Sequence, residues 1–219
     1  MILLAGCSFM HHVQSIDVIT NELRKHGQII SHTSCGSGNE SISAAVVDEV
    51  MKHKDKLGYV LVLWSGIDRL DLELNTTDID YDWKHNNFLH SGGVLGSWQG
   101  LDNKNIRDYM NYYYKYSDSE INTQRTVRSI FAAKCALEAY NIPYDFGMIY
   151  NPYDEKTSLD EATLGLATRN FDEYLTIPTY PLNWCKERNL LGDDKFHPTT
   201  EGFIQWIDSL NLKVHAHEI

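Results

Sequence analysis

Six consecutive apolar residues, Tyr59-Val60-Leu61-Val62-Leu63-Trp64, limit the fold of this chain more than any other stretch. A strand with one wet face alternates apolar and polar side chains, so a run with no polar member needs cover on both faces. The run is far shorter than the roughly 20 residues of a membrane-spanning helix. The central strand of a sheet held between two helical layers meets the requirement. Met1 to Ala5 repeats the pattern and stops at Gly6.

Between and after these strands the pattern changes period. Asp17 to Lys25 reads as a helix with Val18, Ile19 and Leu23 apolar and Gly27 closing it. Gln28 to His32 reads as a second strand. The loop Ser34-Cys35-Gly36-Ser37-Gly38-Asn39 leads into a helix from Glu40 to about Lys56, with Asn39 as the expected N-cap. Its end, with Lys52, His53, Lys54 and Lys56, reads as solvated. From about Asp71 to Ser119 no period is sustained, and a stretch of that length reads as an insertion, either a binding loop or a surface decoration. A helix from about Ile121 to Tyr140, a strand from Tyr144 to Tyr150, a helix from Leu182 to Arg188 and a final helix opened by Pro198 and running toward Leu210 complete the order. Strands alternating with helical crossovers predict a three-layer α/β/α, flavodoxin-like fold with a mostly parallel central sheet. The 219 residues suit one domain.

Charge narrows the partners. Thirty acidic against 19 basic residues give a net charge of -11, and without a basic patch a phosphate backbone is repelled. Nucleic acid is therefore not expected as a partner, and with no stretch of membrane-spanning length neither is membrane. Cys7, Cys35, Cys135 and Cys185 show no C-x-x-C pair, which suits reduced thiols in a cytoplasmic protein. Leu4-Ala5-Gly6-Cys7 resembles a lipoprotein cleavage box, but only six residues precede Cys7 and none is basic, so no signal peptide is read there. The 13 tyrosines and five tryptophans are expected to build core and rim before they line a cleft.

Open parallel sheets carry their working residues at the carboxyl ends of the strands. Gly6-Cys7-Ser8-Phe9 follows the first strand, Gly36-Ser37-Gly38-Asn39 the second and Trp64-Ser65-Gly66-Ile67-Asp68-Arg69 the third, while Asp194-Lys195-Phe196-His197 precedes the last helix. A serine hydroxyl becomes a useful nucleophile when a base takes its proton and a third group orients that base. Ser8, His197 and Asp194 are the candidates for these roles. The amides of Ser8, Gly38 and Asn39, with the Asn39 side chain, are expected to receive an oxyanion. Arg69 could bind an anionic substrate group or form a surface ion pair. Asp68 could assist His197 or cap a turn. Cys7 should point into the packing, opposite Ser8. His11, His12 and His32 read as surface or half-buried side chains rather than metal ligands.

These blocks resemble the SGNH (GDSL-type) serine hydrolase superfamily, over nearly the whole chain apart from the insertion. Gly6-Cys7-Ser8 is similar to its first block, Gly38 to the oxyanion glycine of its second, and Asp194-Lys195-Phe196-His197 to its Asp-x-x-His block. The Gly6-Cys7-Ser8-Phe9 start and the segment from Trp64 to Arg69 look most like a branch often found in bacteriophage genomes. The resemblance implies hydrolysis of acetyl or short acyl esters, possibly on a carbohydrate, with no cofactor or metal. The third block departs from the family. Ile67 stands where an oxyanion-donating asparagine is expected, and Asn39 is the candidate replacement. The departure leaves a second reading open, a catalytically silent binding or structural module of a phage. An α/β-hydrolase is disfavoured because Met10 replaces the second glycine of G-x-S-x-G. Nucleotide binding is disfavoured because the Gly36 loop lacks both a P-loop lysine and G-x-G-x-x-G spacing.

Overall fold

A computed structural model describes residues 1–11, 13–34, 36–73, 84–85, 88–90, 104–151, 171, 173–210 and 212. The apolar runs form the sheet. Strands β1 (Ile2–Gly6), β2 (Ile29–Thr33) and β3 (Tyr59–Trp64) are joined by the short α1 (Ser8–His11), α2 (Val13–Leu23) and α3 (Asn39–His53). Next come β4 (Asp71–Glu73), β5 (Lys84–His85), β6 (Phe88–His90), α4 (Lys104–Tyr116), α5 (Ser119–Ala139), β7 (Tyr144–Met148), α6 (Pro181–Glu187) and α7 (Thr200–Asp208). The main sheet runs in the order β2-β1-β3-β7 and every pairing in it is parallel. All four carboxyl ends therefore lie along one edge.

Side-chain alternation divides the core between two helical layers. Ile2 and Leu4 of β1, with Tyr59, Leu61 and Leu63 of β3, pack with Ile19 and Leu23 of α2 and Phe203, Trp206 and Ile207 of α7. Leu3 and Ala5, with Val60, Val62 and Trp64, pack with Ile42, Val46 and Val50 of α3 and Ile130, Ala133 and Leu137 of α5. The fold is thus three-layered α/β/α with a parallel central sheet, as the apolar runs require. Cys7 lies in the first of these clusters, completely buried. Cys7, Cys135 and Cys185 are free thiols.

Several boundaries differ from the sequence reading, each for a local reason. Helix α3 is N-capped by Gly38 in an extended conformation, and Asn39 is its first residue. Helix α5 starts two residues early because the Asp118 carboxylate accepts from the amides of Glu120 and Ile121. Pro198 does not open α7. It bridges to Leu191, and the Thr199 hydroxyl caps the helix by accepting from Gly202 N. Residues 74–83, 86–87 and 91–103 of the expected insertion lie outside the described residues. Within that span β4, β6 and β5 form a small antiparallel sheet and α4 is a regular helix. Among the described residues no helix is long and apolar enough to cross a membrane.

Candidate active site

The carboxyl end of β1 delivers Ser8. Gly6 must be glycine there, because a Cβ would meet Met10 Cγ at 2.7 Å and the Leu63 carbonyl at 3.0 Å. With no side chain at Gly6, the backbone turns directly into α1, and Met10 N closes the turn on the Cys7 carbonyl at 2.9 Å. The half-buried Ser8 hydroxyl lies 3.1 Å from His197 Nε2.

The loop before α7 holds the histidine by its own backbone. Gly192 N donates to the His197 carbonyl and Lys195 N to the Gly192 carbonyl, each at 2.8 Å, while Thr199 N returns to the Leu190 carbonyl. Lys195 takes a left-handed conformation, φ 56°, which folds the four-residue block back on itself. Asp194 Oδ1 then accepts from the amides of Phe196 and His197, both at 2.9 Å, and Oδ2 meets His197 Nδ1 at 2.6 Å. The three-residue offset of Asp-x-x-His thus lets one carboxylate fix both the backbone and the ring. With Nδ1–H donating to the carboxylate, Nε2 is left to accept from Ser8. Phe9 and Phe196 flank the imidazole, with ring centroids 5.0 Å and 5.3 Å away.

Burial pushes the Asp194 carboxyl upward, but the His197 ring and the two amides outweigh it and hold the group at about 2. Its folded value thus lies below the ordinary 3.8, so the stability it contributes is present above that value and is lost as pH falls through about 2. Asp194→Asn should therefore lower the melting temperature at neutral pH, with the gap to wild type closing between about pH 4 and pH 2. A gap that stays constant across that range would remove Asp194 as the ionised partner of His197.

The expected oxyanion donors are placed differently. Two amides at the start of α3 are taken: Gly38 N donates to Asp71 Oδ1 and Ser41 N to Asp71 Oδ2, both at 2.8 Å. A Cβ on Gly38 would lie 2.7 Å from Asp71 Oδ2, so this capping carboxylate is what demands glycine at 38. The Asn39 side chain also faces inward, 4% exposed. Its Oδ1 accepts from Ser65 N at 2.7 Å, and its Nδ2 lies 3.2 Å from both the Ser65 carbonyl and Thr126 Oγ1 and 3.4 Å from the Gly66 carbonyl. Asn39 ties the end of β3 to α3 and α5, and its carboxamide has no N–H left to aim at Ser8. Ile67 is buried in the α3 and α5 cluster, so an asparagine in its place would point into the core instead of the site. Ser8 N–H remains, standing at the first position of α1 where a helix offers no acceptor of its own.

Arg69 is half-buried, and its Nη1 lies 3.3 Å from the Ser37 carbonyl. Asp68 is exposed, and its carboxylate shares with the Tyr150 hydroxyl the space over Gly66. Burial, and then the Asp68 charge, push that hydroxyl's pKa upward. His32 lies 3.3 Å from Glu49. The side chains of His11 and His12 lie outside what is described. Among the described residues no group of three His, Cys, Asp or Glu side chains could hold a metal ion. Sequence reasoning missed Asp71, which merges into an irregular acidic stretch, and Thr126, which sits unmarked in a long helix. It also left Phe196 unused, although that ring lies inside the Asp-x-x-His block itself.

No protein-family model matches the chain, and no curated protein matches it. A crystal structure of the psychrotrophic esterase EstA from Pseudoalteromonas sp., inhibited by monoethylphosphonate, matches 94% of this chain and 93% of its own at 10% identity and a TM-score of 0.50. At that identity the likeness is one of fold. This chain shares its three-layer α/β/α architecture with an esterase.

Proposed function

We propose that the protein is a serine ester hydrolase of the SGNH type, a single domain acting on acetyl or short acyl esters of small molecules or carbohydrates in the cytoplasm, without a cofactor. The observation that carries this reading is the continuous chain from Ser8 Oγ through both nitrogens of His197 to Asp194, at 3.1 Å and 2.6 Å. Such a relay is what a hydroxyl needs to become a nucleophile. Ser8 Oγ bonds to the ester carbonyl carbon as its proton passes to His197 Nε2, and Asp194 stabilises the imidazolium. Collapse of the tetrahedral intermediate expels the alcohol, which takes the proton from Nε2. Water then gives a proton to Nε2 and attacks the acyl-serine, and the carboxylic acid leaves as the proton returns to Ser8. The Ser8 amide supplies one oxyanion donor. The Gly6-Cys7-Ser8-Phe9 start supports the bacteriophage branch as the narrower kinship.

One observation favours a silent binding module instead: Asp71 and the β3 loop hold two of the donors that the sequence reading assigned to the oxyanion, Gly38 N and the Asn39 carboxamide. A fluorophosphonate probe separates the two, because it needs an activated serine. Peptide mass spectrometry should find the adduct on Ser8, with Ser8→Ala unlabelled. An adduct confined to another serine, or no adduct, would overturn the hydrolase reading.

A further inference from the structure

We propose that the Arg69 guanidinium supplies the second donor to the oxyanion, in place of the asparagine missing from the third block; this rests on the ester-hydrolase reading above. Three observations lead to it. The first is placement. Arg69 is rooted in the loop after β3, and its Nη1 reaches the Ser37 carbonyl in the loop after β2. Since β1 lies between β2 and β3, this contact joins the loops on either side of the carboxyl end of β1, which Ser8 follows.

The second is its spare bonding capacity. The contact with Ser37 is a single one of 3.3 Å, and a guanidinium has five N–H donors. Among the described residues no carboxylate pairs with Arg69, and Glu40 meets Arg125 Nε at 3.6 Å. Arg125 Nη2 also donates to the Arg69 carbonyl at 2.7 Å, which fixes the main chain from which the guanidinium projects. A half-buried, weakly hydrated cation with unused donors is suited to a developing negative charge.

The third is elimination. Gly38 N is held by Asp71, the Asn39 carboxamide by Ser65, Gly66 and Thr126, and Ile67 lies in the core. Of the donors considered at this edge, the Ser8 and Asn39 amides and Arg69 remain, and of these Arg69 carries the charge.

The test is steady-state kinetics of wild type, R69M and R69K on a neutral aryl acetate and on an acetate ester bearing a carboxylate, with folding followed by circular dichroism. R69M should lower kcat on the neutral ester by about 10²–10³, the usual loss for one oxyanion donor, with KM little changed. R69K keeps the charge without the fork and should fall between the two. If R69M does not fold, the R69K loss in kcat carries the test. R69M, or R69K in its place, retaining full kcat on the neutral ester would overturn the proposal while leaving the hydrolase reading intact. A loss confined to KM for the carboxylate-bearing ester would also overturn it, making Arg69 a clamp for substrate charge. Wild type that neither hydrolyses an ester nor labels at Ser8 would overturn both readings.

Discussion

His197→Ala should lower kcat on a simple aryl ester by about 10⁵–10⁶ while the protein stays folded. The size follows from the arrangement: among the described residues the imidazole is the link between Ser8 and Asp194, so its loss leaves a neutral hydroxyl with no base and a carboxylate with no ring to orient. Folding should survive because the loop is held by main-chain groups of residues 190, 192, 195, 197 and 199, which alanine keeps. Asp194 also retains its two amide donors. Steady-state rates with far-UV circular dichroism on the same samples test both halves. An alanine variant within about tenfold of wild type would exclude His197 as the general base.

Asn39→Ala should act on stability, destabilising the protein by about 3–5 kcal/mol. The side chain is 4% exposed, and four polar groups from two segments converge on it: Ser65 N, the Ser65 and Gly66 carbonyls and Thr126 Oγ1. Alanine leaves these groups desolvated without a partner, at about 1–3 kcal/mol for each one that finds no replacement. Urea unfolding should show the midpoint falling with the slope little changed. A variant that unfolds like wild type but loses most of its turnover would return Asn39 to the oxyanion and displace the Arg69 proposal.

The layers of the fold were legible because burial on two faces leaves a direct trace: Tyr59 to Trp64 is apolar throughout and is the strand β3 with the same bounds. The Ser8–His197–Asp194 contacts were legible for a related reason. Asp-x-x-His is a local motif whose geometry is closed by backbone bonds within four residues, so its spacing alone encodes the contact. Its docking against Ser8, 189 residues away, needed only the rule that working residues gather at strand ends. What escaped were contacts between segments whose polarity looks alike in sequence. Gly38 has the composition of an anion cradle and Asp71 that of a surface acid, and nothing local says that one fills the other. Helix α4 was missed although Ile106, Met110, Tyr113 and Tyr114 stand at helical spacing, because Lys104–Tyr116 sets five tyrosines among charged and amide residues and Tyr109, Tyr112 and Tyr116 are exposed.

The closed loop before α7 also has a mechanical consequence. Asp194 and His197 are joined to each other and to residues 190–199 by bonds that begin and end within the same loop, and Gly202 packs against Leu190 so tightly that a Cβ would meet that carbonyl at 2.7 Å. Asp194 and His197 therefore behave as one rigid part, while Ser8 belongs to another part, anchored on β1. The joint between them is the Ser8–His197 bond and the Phe9 and Phe196 rings beside it. Displacement of α7 against the sheet would change one distance in the relay and leave the other untouched. A volume change at the Phe9–Phe196 contact is then a means of adjusting the distance between Ser8 and His197 without altering Ser8, His197 or Asp194.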